Sequence, residues 1–306
     1  MPEIDREGPG ERDTDLISAF LDGRGERTRQ AYKRDLDDFA RFCAAPDASV
    51  ACAWLLSRGQ GSANRLALGY RAHLRERGLS PATINRRLAA LRSLSKLARL
   101  VGACEWALEV PGLPSEAYRD TRGPGVAAVK AMLGGAKSSR DRAILHLLYD
   151  LGLRRGEVVA LDISDLDLKR GTLMVLGKGR LEKSPLSLPP AALEALAAWQ
   201  GARGERPGPL FTSFDRSGKG DGRLTGTSLY RIVRESADAI GARATPHGLR
   251  HTAITEACKA AASAGIGLDE VLDFSRHKSV ATLMRYRDRE RNLQGQLANL
   301  VAEAAS

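Results

Sequence analysis

Fifteen residues near the middle of the chain limit its possible folds more than any others. Positions 111–125 hold three prolines (Pro111, Pro114, Pro124) and three glycines (Gly112, Gly123, Gly125). Proline removes a backbone donor and clashes inside a helix, and glycine weakens helix and strand alike. No regular element runs through such a stretch, so it reads as a linker between two units. The chain has 306 residues, long enough for each half to bury its own core.

The first half reads as helical. From Thr28 onward, Tyr32, Leu36, Phe39 and Cys43 fall on one helix face. Ser62 is placed to cap a helix carrying Leu66, Tyr70 and Leu74. Ser80-Pro81 is a start signal, with serine at the cap and proline in the first turn. Behind it Ile84, Leu88, Leu91 and Leu94 face a core, while Arg86, Arg87, Arg92, Lys96 and Arg99 lie mostly off that face. Such a basic helix suits a DNA groove, and it equally suits a solvated surface. Residues 1–15 are polar and acidic and read as a flexible tail. The expected organisation is therefore a tail (1–15), an all-helical domain (16–110), a linker (111–125) and a second domain (126–306).

That second domain reads as mostly helical with a small antiparallel sheet. Ala143, Ile144, Leu147, Leu148 and Leu151 keep helical spacing from about Ser139. Thr172–Leu176 is β-prone, Gly177-Lys178-Gly179 supplies a turn, and Leu186–Leu188 lies on the return side. Further helices fit Ala191–Trp199, Ser228–Ile240, His251–Ala262, Leu268–Phe274 and Asn292–Ala304. The last carries Leu293, Leu297, Leu300 and Val301 on one face. The fold class expected is mainly α, a two-domain C-shaped clamp.

Charge narrows the partner. The net charge is +10, and it is segregated: residues 51–100 carry ten Arg or Lys against Glu76 alone. A surplus so placed favours a polyanion, because each cation that meets a phosphate releases counterions. Cys43, Cys52, Cys104 and Cys258 form no C-x-x-C pair and show no zinc spacing. No apolar run approaches the roughly 18 residues of a membrane span.

Cutting a phosphodiester without a metal requires an in-line nucleophile, fixed cations around the non-bridging oxygens, and an acid for the leaving oxygen. Arginine suits the clamp, since its planar fork grips two phosphate oxygens and stays charged. Five segments supply such groups in order: Gly152-Leu-Arg154-Arg-Gly-Glu157, Gly177-Lys178-Gly179, His247-Gly-Leu-Arg250-His251, His277, and Tyr286 nine residues beyond it.

In these residues the chain resembles the tyrosine recombinase (phage integrase) family, whose signature is G-L-R-x-x-E, a G-K-G turn, H-x-L-R-H and H-x8-Y. The resemblance covers about residues 126–290, and residues 16–105 look like the family's helical core-binding domain, including Thr28, Tyr32, Asp35 and Leu36. It implies that Arg154 and Arg250 clamp the scissile phosphate and that Lys178 protonates the leaving 5′ oxygen. His247 would assist proton transfer from the tyrosine, and His277 would hydrogen-bond the phosphate. Glu157 and His251 would support the site. Tyr286 would attack and form a 3′-phosphotyrosyl bond, with no metal and no other cofactor. Arg86, Arg87, Arg92, Lys96, Arg119 and Arg122 are the candidate DNA contacts. The implied partner is double-stranded DNA with inverted-repeat core sites. The implied assembly is a homotetramer on DNA, with or without a paralogous recombinase or accessory factor. The implied location is the bacterial cytoplasm, at the nucleoid.

Taken singly, each residue has a plainer reading: Tyr286 as a half-buried aromatic, Lys178 as a loop lysine, His277 as a core histidine, Arg154 and Arg155 as a salt-bridging pair. His247 and His251, four apart, would suit zinc, but no third ligand is apparent. Only the ordered set favours chemistry. One departure stands out: the family usually has Leu-Gly before the penultimate histidine, where this chain has Ser275-Arg276. Two other functions remain open at this stage: a type IB topoisomerase-like relaxer, and a DNA-binding accessory protein that does not cut.

Overall fold

The computed structural model describes residues 9–114, 123–177, 179–214, 222–277, 280, 283 and 293–304. The chain divides into two units, Met1–Arg119 and Asp120–Ser306.

The described residues of the first unit form a bundle of five helices: α1 (Pro9–Asp22), α2 (Glu26–Phe42), α3 (Ala48–Leu56), α4 (Gln60–Glu76) and α5 (Pro81–Leu100). The Ser80 side chain caps α5, accepting from the Thr83 amide, and Asp47 caps α3 in the same way. Two expectations are corrected. Helix α1 begins at Pro9, inside the stretch read as a tail, because Leu16, Ile17 and Phe20 bury in the core and anchor the helix. Helix α4 starts two residues before Ser62, with Gly59 in extended conformation at its cap; the Ser62 hydroxyl instead accepts from Arg65.

Phe20, Leu36, Phe39, Leu55, Tyr70, Leu74, Leu88 and Leu94 fill this core. At its edge α2 presents two buried carboxylates, Asp35 and Asp38, one turn apart. Asp38 accepts from the Tyr70 hydroxyl at 2.8 Å and from Arg77 and Arg41 at 3.1 Å, and it pairs with Arg87. Burial works to raise the Asp38 carboxyl, but those hydrogen bonds and the Arg87 charge outweigh it, and its pKa lies below the usual range. Asp35 has fewer donors, and burial pushes its carboxyl up against the pull of Arg86 and Arg87. Asp38→Ala would leave the Tyr70 hydroxyl without its acceptor and Arg87 with only its longer contact to Asp35, at a largely buried site. A loss of about 3 kcal/mol in urea unfolding is expected; a loss under about 1 kcal/mol would show that water replaces the carboxylate without penalty.

The second unit opens with α6 (Val126–Gly134), α7 (Ser139–Tyr149) and α8 (Arg155–Val159). A 3-10 turn (Ile163–Asp165) leads into β1 (Leu166–Asp167), β2 (Thr172–Leu176) and β3 (Lys183–Ser187), an antiparallel sheet in that order. Leu173 pairs with Leu186, and Lys183 reaches back to Asp165. Then follow α9 (Pro190–Arg203), α10 (Gly226–Asp238), α11 (Pro246–Ala264), α12 (Leu268–Ser275) and α13 (Leu293–Ala304). Helix α7 is buried from Ala143 to Leu148: Ala143, Ile144, Leu147 and Leu148 pack with Leu196, Trp199, Phe211, Val233 and Leu249.

One boundary matters for the site. The sequence reading begins a helix at His251, but α11 begins at Pro246, where the Thr245 side chain accepts from the Gly248 amide. Thr-Pro here does what Ser-Pro does for α5. His247, Arg250 and His251 therefore sit on the first turns of a nineteen-residue helix. Among the described residues no helix is long and apolar enough to cross a membrane.

Candidate active site

Three segments of the second unit converge. The first is the turn between α7 and α8. Gly152 takes φ +54°, a conformation that a side chain resists, with the Phe274 ring 3.7 Å from where a Cβ would stand. The turn aims the Gly152 carbonyl at α11 and places Arg154 at the cap of α8. Arg154 and Glu157 close on each other. The Arg154 amide and its Nη1 both donate to the Glu157 carboxylate at 2.8 Å. Arg154 faces the site, whereas its neighbour Arg155 is exposed.

The second segment is the first turns of α11. Arg250 is 2% exposed, the largest side chain so deeply buried. Its Nη1 donates to the Gly152 carbonyl and its Nη2 to the Ser275 carbonyl. His247 is exposed, one turn ahead of it. His251 is buried, its Nδ1 3.5 Å from the Thr255 hydroxyl.

The third is the corner after α12. Ser275 ends the helix, Arg276 adopts left-handed backbone (φ 51°, ψ 37°), and His277 follows. For a residue other than glycine that conformation costs roughly 1–2 kcal/mol. The corner offers its carbonyls to both clamp arginines: Ser275 to Arg250, and Arg276 to Arg154 Nη2 at 3.2 Å. His277 Nε2 lies 3.3 Å from Arg250 Nη2. A guanidinium only donates, so Nε2 is the acceptor and the imidazole is neutral, with its proton on Nδ1.

The electrostatics agree. Burial, then the charges of Arg250 and Arg154, push the His277 pKa down to about 4. In the unfolded chain it would titrate near 6.5. Between those values the unfolded state binds the extra proton, so stability falls as pH drops from about 6.5 to about 4. With allowance for partial solvation, wild type should lose about 1–2 kcal/mol of unfolding free energy between pH 7 and 5 that a His277→Asn variant retains. Parallel pH dependences in the two proteins would show that His277 is not held neutral.

Arg154 and Arg276 share one carboxylate, Glu157, and Arg250 adjoins His277 at the same corner, so these three guanidiniums and one carboxylate carry a surplus of two positive charges. A phosphodiester carries one negative charge and its pentacoordinate transition state about two, so the surplus stabilises the second more than the first. Among the described residues no His, Cys, Asp or Glu cluster could hold a metal ion.

Lys178 and Tyr286 lie outside the described residues, as do Arg119 and Arg122. Their surroundings are described. Gly177 and Gly179 flank Lys178 at the end of β2, and Gly179 has φ +74°. Leu283, three residues before Tyr286, is fully buried with Ile254, Cys258, Ala261 and Val271.

The basic face of α5 divides. Arg86 and Arg87 pair with Asp35, and Arg87 also with Asp38; its side chain is only 14% exposed. Arg92 donates to the Val110 carbonyl at 3.0 Å. Lys96 is exposed. Lying off the apolar stripe put these arginines opposite α2, whose acids are some fifty residues away in sequence.

Residues 126–292 match the phage integrase family, and residues 19–100 match its N-terminal SAM-like domain. The chain is 38% identical over 299 residues to tyrosine recombinase slr0733 of Synechocystis sp. (strain ATCC 27184 / PCC 6803 / Kazusa), covering 94% of each chain. It is 38% identical over 305 residues to tyrosine recombinase Synpcc7942_B2651 of Synechococcus elongatus (strain ATCC 33912 / PCC 7942 / FACHB-805), covering 95% of this chain and 94% of that one. Its fold is similar to that of the XerH site-specific recombinase bound to palindromic difH substrate in a post-cleavage complex. That match has TM-score 0.63 and 16% identity over 98% of this chain and 99% of the other.

Proposed function

Because the chain belongs to the phage integrase family and is a site-specific DNA recombinase, we propose that it breaks one strand by attack of the Tyr286 hydroxyl on phosphorus. The bond to the 5′ oxygen breaks, and the DNA 3′ end remains on the protein as a phosphotyrosine. The tyrosine proton passes to His247, and the leaving 5′ oxygen takes a proton from Lys178. Arg154 and Arg250 hold the non-bridging oxygens, and His277 hydrogen-bonds the same phosphate. A 5′ hydroxyl from a second strand reverses the step and frees the tyrosine. The bond energy stays in the phosphotyrosine, so no ATP is used.

The observation that carries this reading is the convergence of Arg154, Arg250 and His277 on one corner with a net positive charge. The substrate is double-stranded DNA with inverted-repeat core sites. Four protomers act together, alone or with a paralogous recombinase or accessory factor. The work is done in the cytoplasm, at the nucleoid, on chromosomal or mobile-element DNA. Lys96, with Arg86, Arg119 and Arg122, contacts the backbone of the site. Helix α13, on which Leu300 and Val301 are 60% and 70% exposed, docks on the neighbouring protomer.

The test is covalent capture. The protein is incubated with genomic DNA of its source in EDTA, stopped with SDS, and the linked ends are sequenced. Ends at a discrete site support the reading. Ends spread over many sequences would mark a relaxing enzyme, and tight binding with no linked end would mark an accessory protein.

A further inference from the structure

The catalytic assignment leaves unused a largely buried guanidinium beside the clamp, that of Arg276. The Arg276 side chain is 13% exposed, yet it carries a guanidinium into the interior from a left-handed corner. Its Nη2 donates to Glu157 Oε2 at 2.9 Å and to the Gly152 carbonyl at 3.2 Å, and its Nη1 reaches the Leu151 carbonyl at 3.4 Å. All three acceptors belong to the α7–α8 segment, more than a hundred residues upstream. Both Nη atoms donate to protein acceptors, which ties the corner after α12 to the α7–α8 segment.

Its contacts touch every part of the clamp. Glu157, which accepts from Arg276, is the carboxylate that orients Arg154. The Gly152 carbonyl, which also accepts from Arg276, is a seat of the Arg250 guanidinium. The backbone of the same residue accepts from Arg154, and the residues on either side of it meet Arg250. There is also a charge consequence. A carboxylate shared between two guanidiniums cancels only part of either, so Arg154 keeps positive potential for an anion.

Building on the recombinase reading, we propose that Arg276 is a positioning residue. It clips the Ser275–His277 corner to Glu157 and Gly152, and so holds Arg154, Arg250 and His277 in one array around the scissile phosphate. Glycine would take the left-handed corner without strain and without the clip. Arg276→Gly therefore removes the side chain's contribution while easing the backbone.

The test measures single-turnover adduct formation at saturating DNA, and DNA affinity separately, on the site found by covalent capture. Arg276→Gly is expected to slow adduct formation about 10- to 100-fold, the effect of a clamp displaced by about an ångström. Affinity should stay within about threefold of wild type, because phosphate contacts elsewhere supply most of it. Arg276→Lys, which keeps the charge and one point of attachment, should recover part of the rate. Adding Arg276→Gly to Glu157→Gln should cost less than about threefold more, since both act on one network. A wild-type rate for Arg276→Gly, full multiplication of the two effects, or a loss confined to affinity would overturn the role. Should Arg276→Gly unfold at the assay temperature, Arg276→Gln decides by the same criterion, keeping the packing but neither charge nor fork. Failure of wild type to form any adduct would instead refute the recombinase chemistry, so the two failures are distinct.

Discussion

Tyr286→Phe is expected to abolish the protein–DNA adduct, lowering strand cleavage by at least about 10⁴-fold, the scale on which loss of a nucleophile is felt in covalent catalysis. The substitution removes one oxygen and leaves the ring, so DNA affinity measured by gel shift should stay within about twofold. The loss should be this large because water is no substitute. A water molecule lacks the in-line placement that tethering supplies, and its product, a free 3′ phosphate, cannot be rejoined. Leu283, three residues before the tyrosine in sequence, is fully buried with Ile254, Cys258, Ala261 and Val271. An adduct that survives Tyr286→Phe would move the nucleophile elsewhere. Tyr149, five residues before Arg154, is then the first to examine. Its hydroxyl is a poor candidate: burial, with the charges of Glu256 and Asp150, pushes its pKa up, the opposite of activation.

The fold was legible wherever a local signal dictated it. Ser80-Pro81 marks the start of α5, and the spacing of Ala143, Ile144, Leu147 and Leu148 marks α7, because caps and apolar periodicity act within a few residues. Thr172–Leu176 and its Gly-Lys-Gly turn gave the hairpin for the same reason. Three helices start earlier than the sequence suggests: α1, α4 and α11. Thr245-Pro246 carries the same cap signal as Ser80-Pro81, and α11 starts there and not at His251. Residues 9–15 look like a tail because their composition is polar, yet Leu16, Ile17 and Phe20 just beyond them bind the helix to the core.

The site divides along the same line. Arg154, Glu157, Arg250 and His277 could be named from their order along the chain. The link among them could not, because it is made by backbone carbonyls, Gly152, Ser275 and Arg276, whose direction depends on two positive-φ corners in different parts of the sequence. Arg276 was visible only as an unexpected charge beside His277. Its direction, inward onto Glu157, is a tertiary fact. The arginines of α5 show the converse case. A basic helix face reads as a nucleic-acid surface, but two carboxylates of α2 claim Arg87 first. Sequence spacing says which side of a helix a residue occupies and not what stands opposite.

Arg250→Ala should show how far structure and chemistry are joined here, because it should damage both. The guanidinium is 2% exposed and donates to two buried carbonyls, Gly152 and Ser275, and to His277 Nε2. Alanine takes that donor from the Ser275 carbonyl and His277 Nε2 and leaves the Gly152 carbonyl with Arg276 alone, in a space too enclosed for easy hydration. Each stranded acceptor costs about 1–3 kcal/mol, so an unfolding free energy lower by about 3–5 kcal/mol is expected. Cleavage by the folded fraction should fall at least about 10³-fold, since removal of one fixed donor to a developing oxyanion already costs about 10²–10³. Arg250→Lys separates the two effects. It keeps the charge but cannot span Gly152, Ser275 and a phosphate at once, so it should fold within about 2 kcal/mol of wild type and still cleave about 10²-fold more slowly. Urea unfolding and single-turnover cleavage on the same preparations give both numbers. If Arg250→Ala were as stable as wild type, the carbonyls of the corner would have found other donors, and the corner would not depend on the clamp. If Arg250→Lys cleaved at the wild-type rate, charge alone would suffice, and the planar fork would serve the fold and not the phosphate.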